Sequence, residues 1–168
     1  MSKREMRVVP YDPSWIDLYM TEAALLTPTL GENFMEIHHI GSTAIPNMAS
    51  KPVIDIMIVV KDINLVDSKN DAMASLDYVA RGECGIPMRR FFRKGGNERT
   101  HHVHVYQEGS PHIADHLKFR DHMRGNPQSA QEYMALKESL SKKYLYEREH
   151  YTNGKNDFIQ RILKKEEN

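Results

Sequence analysis

Val53-Ile54-Asp55-Ile56-Met57-Ile58-Val59-Val60 is the stretch of the sequence that decides the fold. Apart from Asp55 it is continuously apolar and largely β-branched, which is typical of a central strand covered on both faces. A carboxylate within such a strand is costly to bury unless a partner compensates its charge. We therefore expect Asp55 either to cap a neighbouring loop or to belong to a polar site.

Further elements are predicted on both sides of this strand. The pattern indicates a short edge strand at Arg7-Val8-Val9 and a helix that starts at Asp12-Pro13-Ser14 and breaks near Thr27-Pro28. Gly95-Gly96-Asn97 is typical of a hairpin turn, and Asn153-Gly154 predicts a break between two C-terminal helices. The remaining predicted elements are strands at 34–40, 78–81, 89–94 and 101–106, a helix at 63–76, and helices from residue 111 onward.

These elements predict an α/β (α+β) protein with a mixed sheet flanked by helices. The 168 residues fit a single domain, 1–168, which can bury a sizeable core. Within it we expect a sheet-containing core over about residues 1–108 and a helical C-terminal part over about residues 111–168.

Charge and cysteine content exclude several classes of partner and location. Lys+Arg and Asp+Glu balance at 23 each, so no excess positive charge is left to bind nucleic acid or a membrane surface. The single cysteine, Cys84, excludes an internal disulfide and suits a reducing compartment. Residues 1–6 are charged and no apolar run follows them, so we expect no signal peptide. We predict a cytoplasmic protein that is a monomer or a homodimer.

The first candidate site combines Gly41-Ser42 with Asp55. A glycine lets the backbone turn sharply and approach a ligand, and Ser42 with the amides after it can then hold phosphate oxygens. Asp55, in the neighbouring strand, would lie beside that turn and hold Mg²⁺ or another divalent cation against the same phosphates. The alternative is a plain turn with Asp55 capping a loop amide; the spacing of the two features favours the functional interpretation.

Two histidines form the second candidate site. His102 and His104 alternate along a predicted strand, so both side chains point to one face. Imidazoles at this spacing can bind a metal, relay protons or contact phosphate, and a pair of hydrogen-bonded structural histidines is the alternative. The histidine-triad pattern fails because the next alternate position is Tyr106. Of His38 and His39, which precede Gly41, at most one can face the site.

Cations near these residues are candidate phosphate ligands. Lys51 precedes the Asp55 strand, and it is the leading candidate for a phosphate contact. The hairpin is rich in arginine, whose fork matches phosphate oxygens, and Arg90 and Arg93 are the candidates there. Solvated charges that protect an edge strand are the alternative for most of the hairpin. Arg120 and Asp121 indicate a structural ion pair.

The spacing from Gly41-Ser42 to Asp55 resembles the signature of the nucleotidyltransferase superfamily, and several longer segments resemble the GrpB family. That resemblance covers about residues 8–164 and implies a nucleotidyltransferase-like fold. The family also occurs as a domain fused behind dephospho-CoA kinase. The segments that carry it are His39-Ile40-Gly41-Ser42-Thr43-Ala44-Ile45-Pro46, Lys51-Pro52-Val53-Ile54-Asp55-Ile56, Arg99-Thr100-His101-His102-Val103-His104-Val105, His116-Leu117-Lys118-Phe119-Arg120-Asp121 and Gly154-Lys155-Asn156-Asp157-Phe158-Ile159.

The sequence departs from the superfamily where a second carboxylate is expected, since Met57 stands two residues beyond Asp55. Two-metal transfer needs two or three carboxylates, and a thioether is a poor ligand for a hard cation. We expect a site that binds a nucleotide or small phosphate ligand with a divalent metal on Asp55, His102 and His104, with no covalently bound cofactor. If this site is catalytic, it transfers a nucleotidyl or phosphoryl group. The alternatives are a non-catalytic folding or regulatory module with a degenerate site, and a metal-dependent hydrolase that uses His102, His104 and Asp55.

Overall fold

The computed structural model describes residues 7–167, and the side chains of residues 7–166. The predicted α/β class, with strands in the first part of the chain and helices in the last third, is confirmed. The strands are β1 (Phe34–Ile40), β2 (Ile54–Val60), β3 (Tyr78–Ala80), β4 (Arg90–Lys94) and β5 (His101–Gln107). The α-helices are α1 (Ser14–Thr29), α2 (Asn70–Ala74), α3 (Pro111–Gly125), α4 (Pro127–Lys143) and α5 (Arg148–Glu167).

The strands form one mixed sheet in the order β1-β2-β5-β4-β3. β2 and β5 are its central pair and run parallel, while the other neighbouring pairs are antiparallel. The predicted hairpin is confirmed as β4 and β5. Because parallel strands need a long crossover, the chain between β2 and β5 passes over one face of the sheet and returns along its edge as β3 and β4.

The two faces of the sheet differ in chemistry. On one face, alternate residues of β2 and β5 are fully buried against α1 and the segment that follows β2, and they form the main apolar core: Ile54, Ile56, Ile58, Val60, Val103 and Val105. Because side chains alternate along a strand, Asp55, His102 and His104 face the other way. The C-terminal helices begin beside that second face, where Ile113 and Leu117 of α3 pack against Met57 and Tyr106.

The predicted break at Asn153-Gly154 is wrong, because α5 runs continuously through both residues. α4 ends at Lys143 instead, and the connection lies between Lys143 and Arg148. Gly154 faces α4: a Cβ at this position would lie 2.8 Å from both methyl groups of Leu140. The glycine therefore serves the close approach of two helices rather than a turn between them.

Smaller differences have local causes. Residues 63–76 form a 3-10 helix, Ile63–Lys69, before the short α2, because Ser68 bonds back to the carbonyl of Leu65 instead of supporting a longer helix. α1 continues past Pro28 to Thr29, since a proline in the last turn removes only one hydrogen bond. The predicted edge strand shrinks to a bridge between Val9 and Ser50.

None of the helices in the described part of the chain is long and apolar enough to cross a membrane. The expectation of no signal peptide concerns residues 1–6, which lie outside the described residues.

Candidate functional site

The end of β1 and the starts of β2 and β5 meet at one corner of the sheet. Strand pairing sets Ile40 opposite Asp55, and Asp55 opposite His102. Gly41, with φ +73° and ψ −173°, follows β1 directly and opens the 3-10 turn Ser42–Ala44. A Cβ at Gly41 would lie 2.7 Å from Oδ2 of Asp55. The turn can pass this close to the carboxylate only because residue 41 is a glycine.

Both predicted histidines contact the carboxylate of Asp55. Nε2 of His104 lies 3.2 Å from Oδ1, and Nδ1 of His102 lies 3.5 Å from the same oxygen. Burial opposes ionisation of Asp55, but the hydrogen bonds from His102 and His104 outweigh it and hold the pKa of the carboxyl well below its usual range. The carboxylate is therefore ionised at neutral pH. It is a poor proton acceptor, suited to accepting hydrogen bonds or binding a cation.

Arg89 fixes the protonation of His104. Its buried guanidinium donates to the carbonyls of Glu83 and Cys84 at 3.1 and 2.8 Å, and Nη1 lies 3.3 Å from Nδ1 of His104. A guanidinium has no acceptor atom, so Nδ1 of His104 must accept this bond. Nε2 then carries the hydrogen that is donated to Asp55. Nε2 of His104 is thus the donor to Asp55, and the lone pair of Nδ1 points to Arg89.

The donor set does not fit a two-metal centre. Met57 occupies the place of the second carboxylate and is fully buried in an apolar cluster with Ile40 and Tyr106. Within residues 7–167, no three His, Cys, Asp or Glu side chains are grouped so that they could hold one metal ion. Nε2 of His104, which faces Asp55, carries a hydrogen and offers no lone pair. Asp55 is therefore the one hard-cation ligand that this corner provides.

Three lysines and two tyrosines lie beside the corner, and we call this group the lysine cluster. It consists of Lys51 from the loop before β2, Tyr133 and Lys137 of α4, and Tyr151 and Lys155 of α5. The ammonium groups of Lys51 and Lys155 lie over the Tyr151 ring, 5.3 and 4.9 Å from its centroid, and that of Lys137 lies 4.9 Å from the Tyr133 centroid. Ring faces attract such cations.

Electrostatic effects connect the lysine cluster to the corner. Burial lowers the pKa of Lys155, and the negative charge of Asp55 works against that shift. Burial raises the pKa of Tyr133, and the negative charge of Asp55 acts in the same direction. A hydrogen bond with the hydroxyl of Ser42 lowers that pKa. These groups lie close enough to influence one another, so the corner and the lysine cluster form one polar region.

Lys137 is the most buried cation of the cluster, with 1% of its surface exposed. Its ammonium donates to the carbonyl of Ala49 at 2.6 Å, and among the described residues no carboxylate lies within ion-pair distance of it. Burial, and then the charges of Lys155 and Lys51, lower the pKa of Lys137 to about 7. A buried ammonium without an anionic partner is costly, so this side chain is held in an unfavourable state.

Tyr151 carries a second unfavourable group. Its side chain is fully buried, and its hydroxyl has no hydrogen-bond partner in the described part of the protein. Burial raises the pKa of this hydroxyl to about 12, so it stays a neutral donor. Buried hydroxyls without partners are rare in native proteins because each costs about 1–3 kcal/mol. Both Lys137 and Tyr151 thus have unused donor capacity in the same cluster.

The structure brings together most of the residues that the sequence singled out. Gly41, Ser42, Asp55, His102 and His104 share the corner, and Lys51 lies in the adjoining lysine cluster.

Arg90, in contrast, lies on the opposite face of the sheet, where its fork binds Asp67 at 2.7 and 3.2 Å. Arg93 is in register with His102. Burial lowers the pKa of its guanidinium, and the positive charges of Arg81 and Arg148 act in the same direction.

Neither histidine before Gly41 bonds to Asp55. His39 stacks on Tyr19 of α1 at 4.7 Å and bonds to Thr43, while His38 contacts Glu36. Arg120 pairs with Asp121 at 2.9 Å, as expected, and also donates to the carbonyl of His39.

From the sequence, Arg89 is only one member of the basic hairpin, and no site role is predicted for the four members of the cluster that come from the C-terminal helices. A signal for two of them was present: Lys137 and Lys155 each follow a tyrosine by four residues, in positions that belong to the apolar stripe of their helix.

Several relatives and one solved structure are similar to this chain over most of its length. UPF0157 protein YqkA of Bacillus subtilis is 43% identical over 94% of this chain, and the chain spans 46% of YqkA. Glutamate-rich protein GrpB of Alkalihalophilus pseudofirmus is 31% identical, with 97% of both chains covered. The crystal structure of GrpB from Enterococcus faecalis superposes with a TM-score of 0.89 at 36% identity, covering 96% of this chain and all of that one.

More distant matches concern the fold alone. The structure of Cid1 in complex with the UTP analogue UMPNPP has a TM-score of 0.55 at 8% identity, covering 80% of this chain and 43% of that one. A dephospho-CoA kinase of Mycolicibacterium paratuberculosis is 25% identical over 85% of this chain, which spans 41% of that protein. Residues 5–165 match the family described as GrpB protein, and this chain therefore belongs to the GrpB family.

Proposed function

We propose that this chain binds a nucleotide or a related phosphate ligand at the corner formed by Gly41, Ser42 and Asp55. The observation that carries the proposal is the tight approach of the Gly41 turn to an ionised carboxylate that is held by two imidazoles. This arrangement lies on a sheet whose fold resembles that of Cid1, a structure solved with a nucleotide analogue. An ordered turn beside fixed charges is the kind of site that anionic ligands use.

Each group has a role that follows from its chemistry. The turn and the hydroxyl of Ser42 contact phosphate oxygens, and Lys51 supplies positive charge at the entry to β2. Asp55, with 29% of its side chain exposed, can be reached by the ligand and accepts hydrogen bonds from its hydroxyl or amino groups. His102 and His104 hold the carboxylate in place, and His104 is held in turn by Arg89.

The donor set favours binding over group transfer. Nucleotidyl or phosphoryl transfer is the second candidate because the fold is that of nucleotidyltransferases, but such chemistry relies on two or three carboxylates that hold metal ions. Here Asp55 stands without a second carboxylate at position 57. A binding or regulatory module fits these residues better, and the hydrolase alternative loses support because His104 directs its lone pair to Arg89.

Calorimetric titration with ATP, GTP and CTP, each with Mg²⁺ and with EDTA, tests the proposal. Lys51→Ala is the informative variant, and Lys61→Ala is its matched control, because Lys61 follows the same strand at its far, exposed end. A charge-assisted contact to phosphate predicts that Lys51→Ala weakens binding about tenfold or more, while Lys61→Ala leaves it unchanged.

Two results would reject the proposal: no binding of any of the three nucleotides by the unmodified protein, or equal loss in the two lysine variants. The second result would mean that the ligand responds to overall charge rather than to this corner.

A further inference from the structure

We infer that α4 and α5 build an anion site of their own, in which the lysine cluster takes a chain of at least two linked phosphates without a divalent cation. The inference rests on the proposed function and names the substrate class for it. The phosphate chain would extend from the Gly41 turn towards Lys51, Lys137 and Lys155. The C-terminal helices then do more than cover the sheet, because they supply most of the ligand's counter-charge.

Burial and unused donors carry this inference. Lys137 is 1% exposed and donates to one carbonyl, although an ammonium has three hydrogens to donate. The hydroxyl of Tyr151, fully buried, has no partner among residues 7–167. A fold retains such groups at a cost to its stability, and phosphate oxygens would satisfy both of them at once.

Charge explains why more than one phosphate is needed. Three ammonium groups lie over two tyrosine rings, and the charge of Asp55 acts on Lys155 from the neighbouring corner. A single phosphate carries at most about two negative charges at neutral pH, whereas a diphosphate or triphosphate carries about three or four. The number of cations therefore matches a phosphate chain.

The same charges make a metal unnecessary at this position. In two-metal enzymes the cations neutralise the phosphates and the carboxylates hold the cations. Here the residues supply one carboxylate and three ammonium groups, so the protein provides the positive charge directly. This predicts an unusual sign: Asp55→Asn should strengthen binding of an inorganic phosphate chain, because it removes a negative charge near the site.

The test uses inorganic tripolyphosphate and orthophosphate as probes, titrated calorimetrically in EDTA. The variants are Lys137→Met and Lys155→Met, with Lys142→Met as the control because Lys142 is an exposed lysine on the same helix α4. We expect tripolyphosphate to bind more tightly than orthophosphate by about tenfold or more, and each cluster variant to lose about tenfold. Lys142→Met should stay within about twofold. Urea unfolding of each variant confirms that it is folded.

Binding of tripolyphosphate that requires Mg²⁺, or that is unaffected by Lys137→Met, would overturn the inference. The two proposals can fail separately. If ATP binding depends on Lys51 but not on Lys137 or Lys155, the corner is a nucleotide site and the lysine cluster is not part of it. If tripolyphosphate binding depends on the cluster while ATP, GTP and CTP do not bind, the anion site stands and the nucleotide proposal falls.

Discussion

The carboxylate of Asp55 occupies the space that a side chain at residue 41 would need. A Cβ on Gly41 would lie 2.7 Å from Oδ2 of Asp55, and the backbone of Gly41 has φ +73° and ψ −173°, a conformation that is essentially restricted to glycine. Gly41→Ala should therefore destabilise the protein by about 2–4 kcal/mol and displace the carboxylate. Urea unfolding and nucleotide titration measure both effects.

Gly31→Ala is the matched control for this variant. Gly31 also has a positive φ, +61°, but a Cβ there would meet nothing within 4 Å. Its substitution should cost only about 1 kcal/mol and leave ligand binding unchanged. Equal effects of the two substitutions would show that backbone strain alone, and not contact with Asp55, sets the requirement at position 41.

Tyr151→Phe should make the free protein more stable and should weaken its binding of a phosphate chain. The substitution removes a buried hydroxyl that has no partner in the described structure, which should stabilise the fold by about 1 kcal/mol. The same change removes a donor that a phosphate chain would use, so tripolyphosphate binding should fall several-fold. A loss of stability in Tyr151→Phe would mean that the hydroxyl is already satisfied in the free protein.

Phosphate-chain binding should take up a proton near pH 8. Burial and the charges of Lys155 and Lys51 lower the pKa of Lys137 to about 7, so this side chain is largely neutral at about pH 8 in the free protein. The groups that act on it are Tyr133 on α4, Lys155 on α5 and Lys51 before β2. A bound anion favours the charged form, raises the pKa of Lys137 and draws in a proton.

Calorimetry in two buffers with different ionisation enthalpies measures this proton uptake. The uptake should disappear in Lys137→Met and persist in Lys142→Met. Binding without any proton exchange near pH 8 would contradict an anion contact at Lys137.

Acid should destabilise the fold between about pH 6.5 and pH 4 through His39. Burial lowers the pKa of His39 to about 4, with the charges of Arg124 and Arg120 acting in the same direction and Asp55 opposing them. Above about pH 6.5 the histidine is neutral in both states, and as the pH falls the unfolded chain binds the proton first. Up to about 3 kcal/mol of stability is lost over this window.

His116, whose pKa burial also lowers to about 4, adds to the same loss. In urea titrations across this range, His39→Gln should therefore reduce the pH dependence without removing it. His150→Gln serves as the control because His150 is exposed. A pH dependence that is unchanged in His39→Gln would contradict a buried neutral histidine at this position.

Gly154→Ala should fail to stabilise α5, although alanine is the better helix former. Alanine at an open helical position usually gains about 1 kcal/mol over glycine. At Gly154 the new methyl group would lie 2.8 Å from both Cδ atoms of Leu140, so the leucine side chain must move and this gain should be lost. In the Leu140→Ala background the same substitution should become favourable, and a double-mutant cycle by urea unfolding measures that coupling.

Much of the corner could be predicted because it depends on local patterns. A glycine after one strand, a carboxylate in the next and alternating histidines in a third are each visible in short stretches. Pairing of β2 with β5 then brings Asp55 opposite His102. Strand alternation also separates the two hairpin arginines: Arg90 and Arg93 are three residues apart, so they cannot face the same side of a regular strand. Arg89 and Arg93 share the face of Asp55 instead.

The lysine cluster could not be assembled from the sequence because its members meet only through packing of separate elements. The loop before β2 is far from α4 and α5 along the chain. No short sequence pattern predicts which face of each helix packs against the sheet. Lys137 and Lys155 within apolar stripes were nevertheless visible exceptions. The break predicted at Gly154 was wrong for the same reason, since the residue that requires a glycine there, Leu140, lies on another helix.

Two of the three lysines that we assign to the phosphate chain come from the last quarter of the sequence. A polypeptide leaving the ribosome can thus complete its sheet before it can bind an anion. A bound phosphate chain would then stabilise the late docking of α4 and α5. Phosphate compounds should then shield these helices from proteases more than they shield the strands.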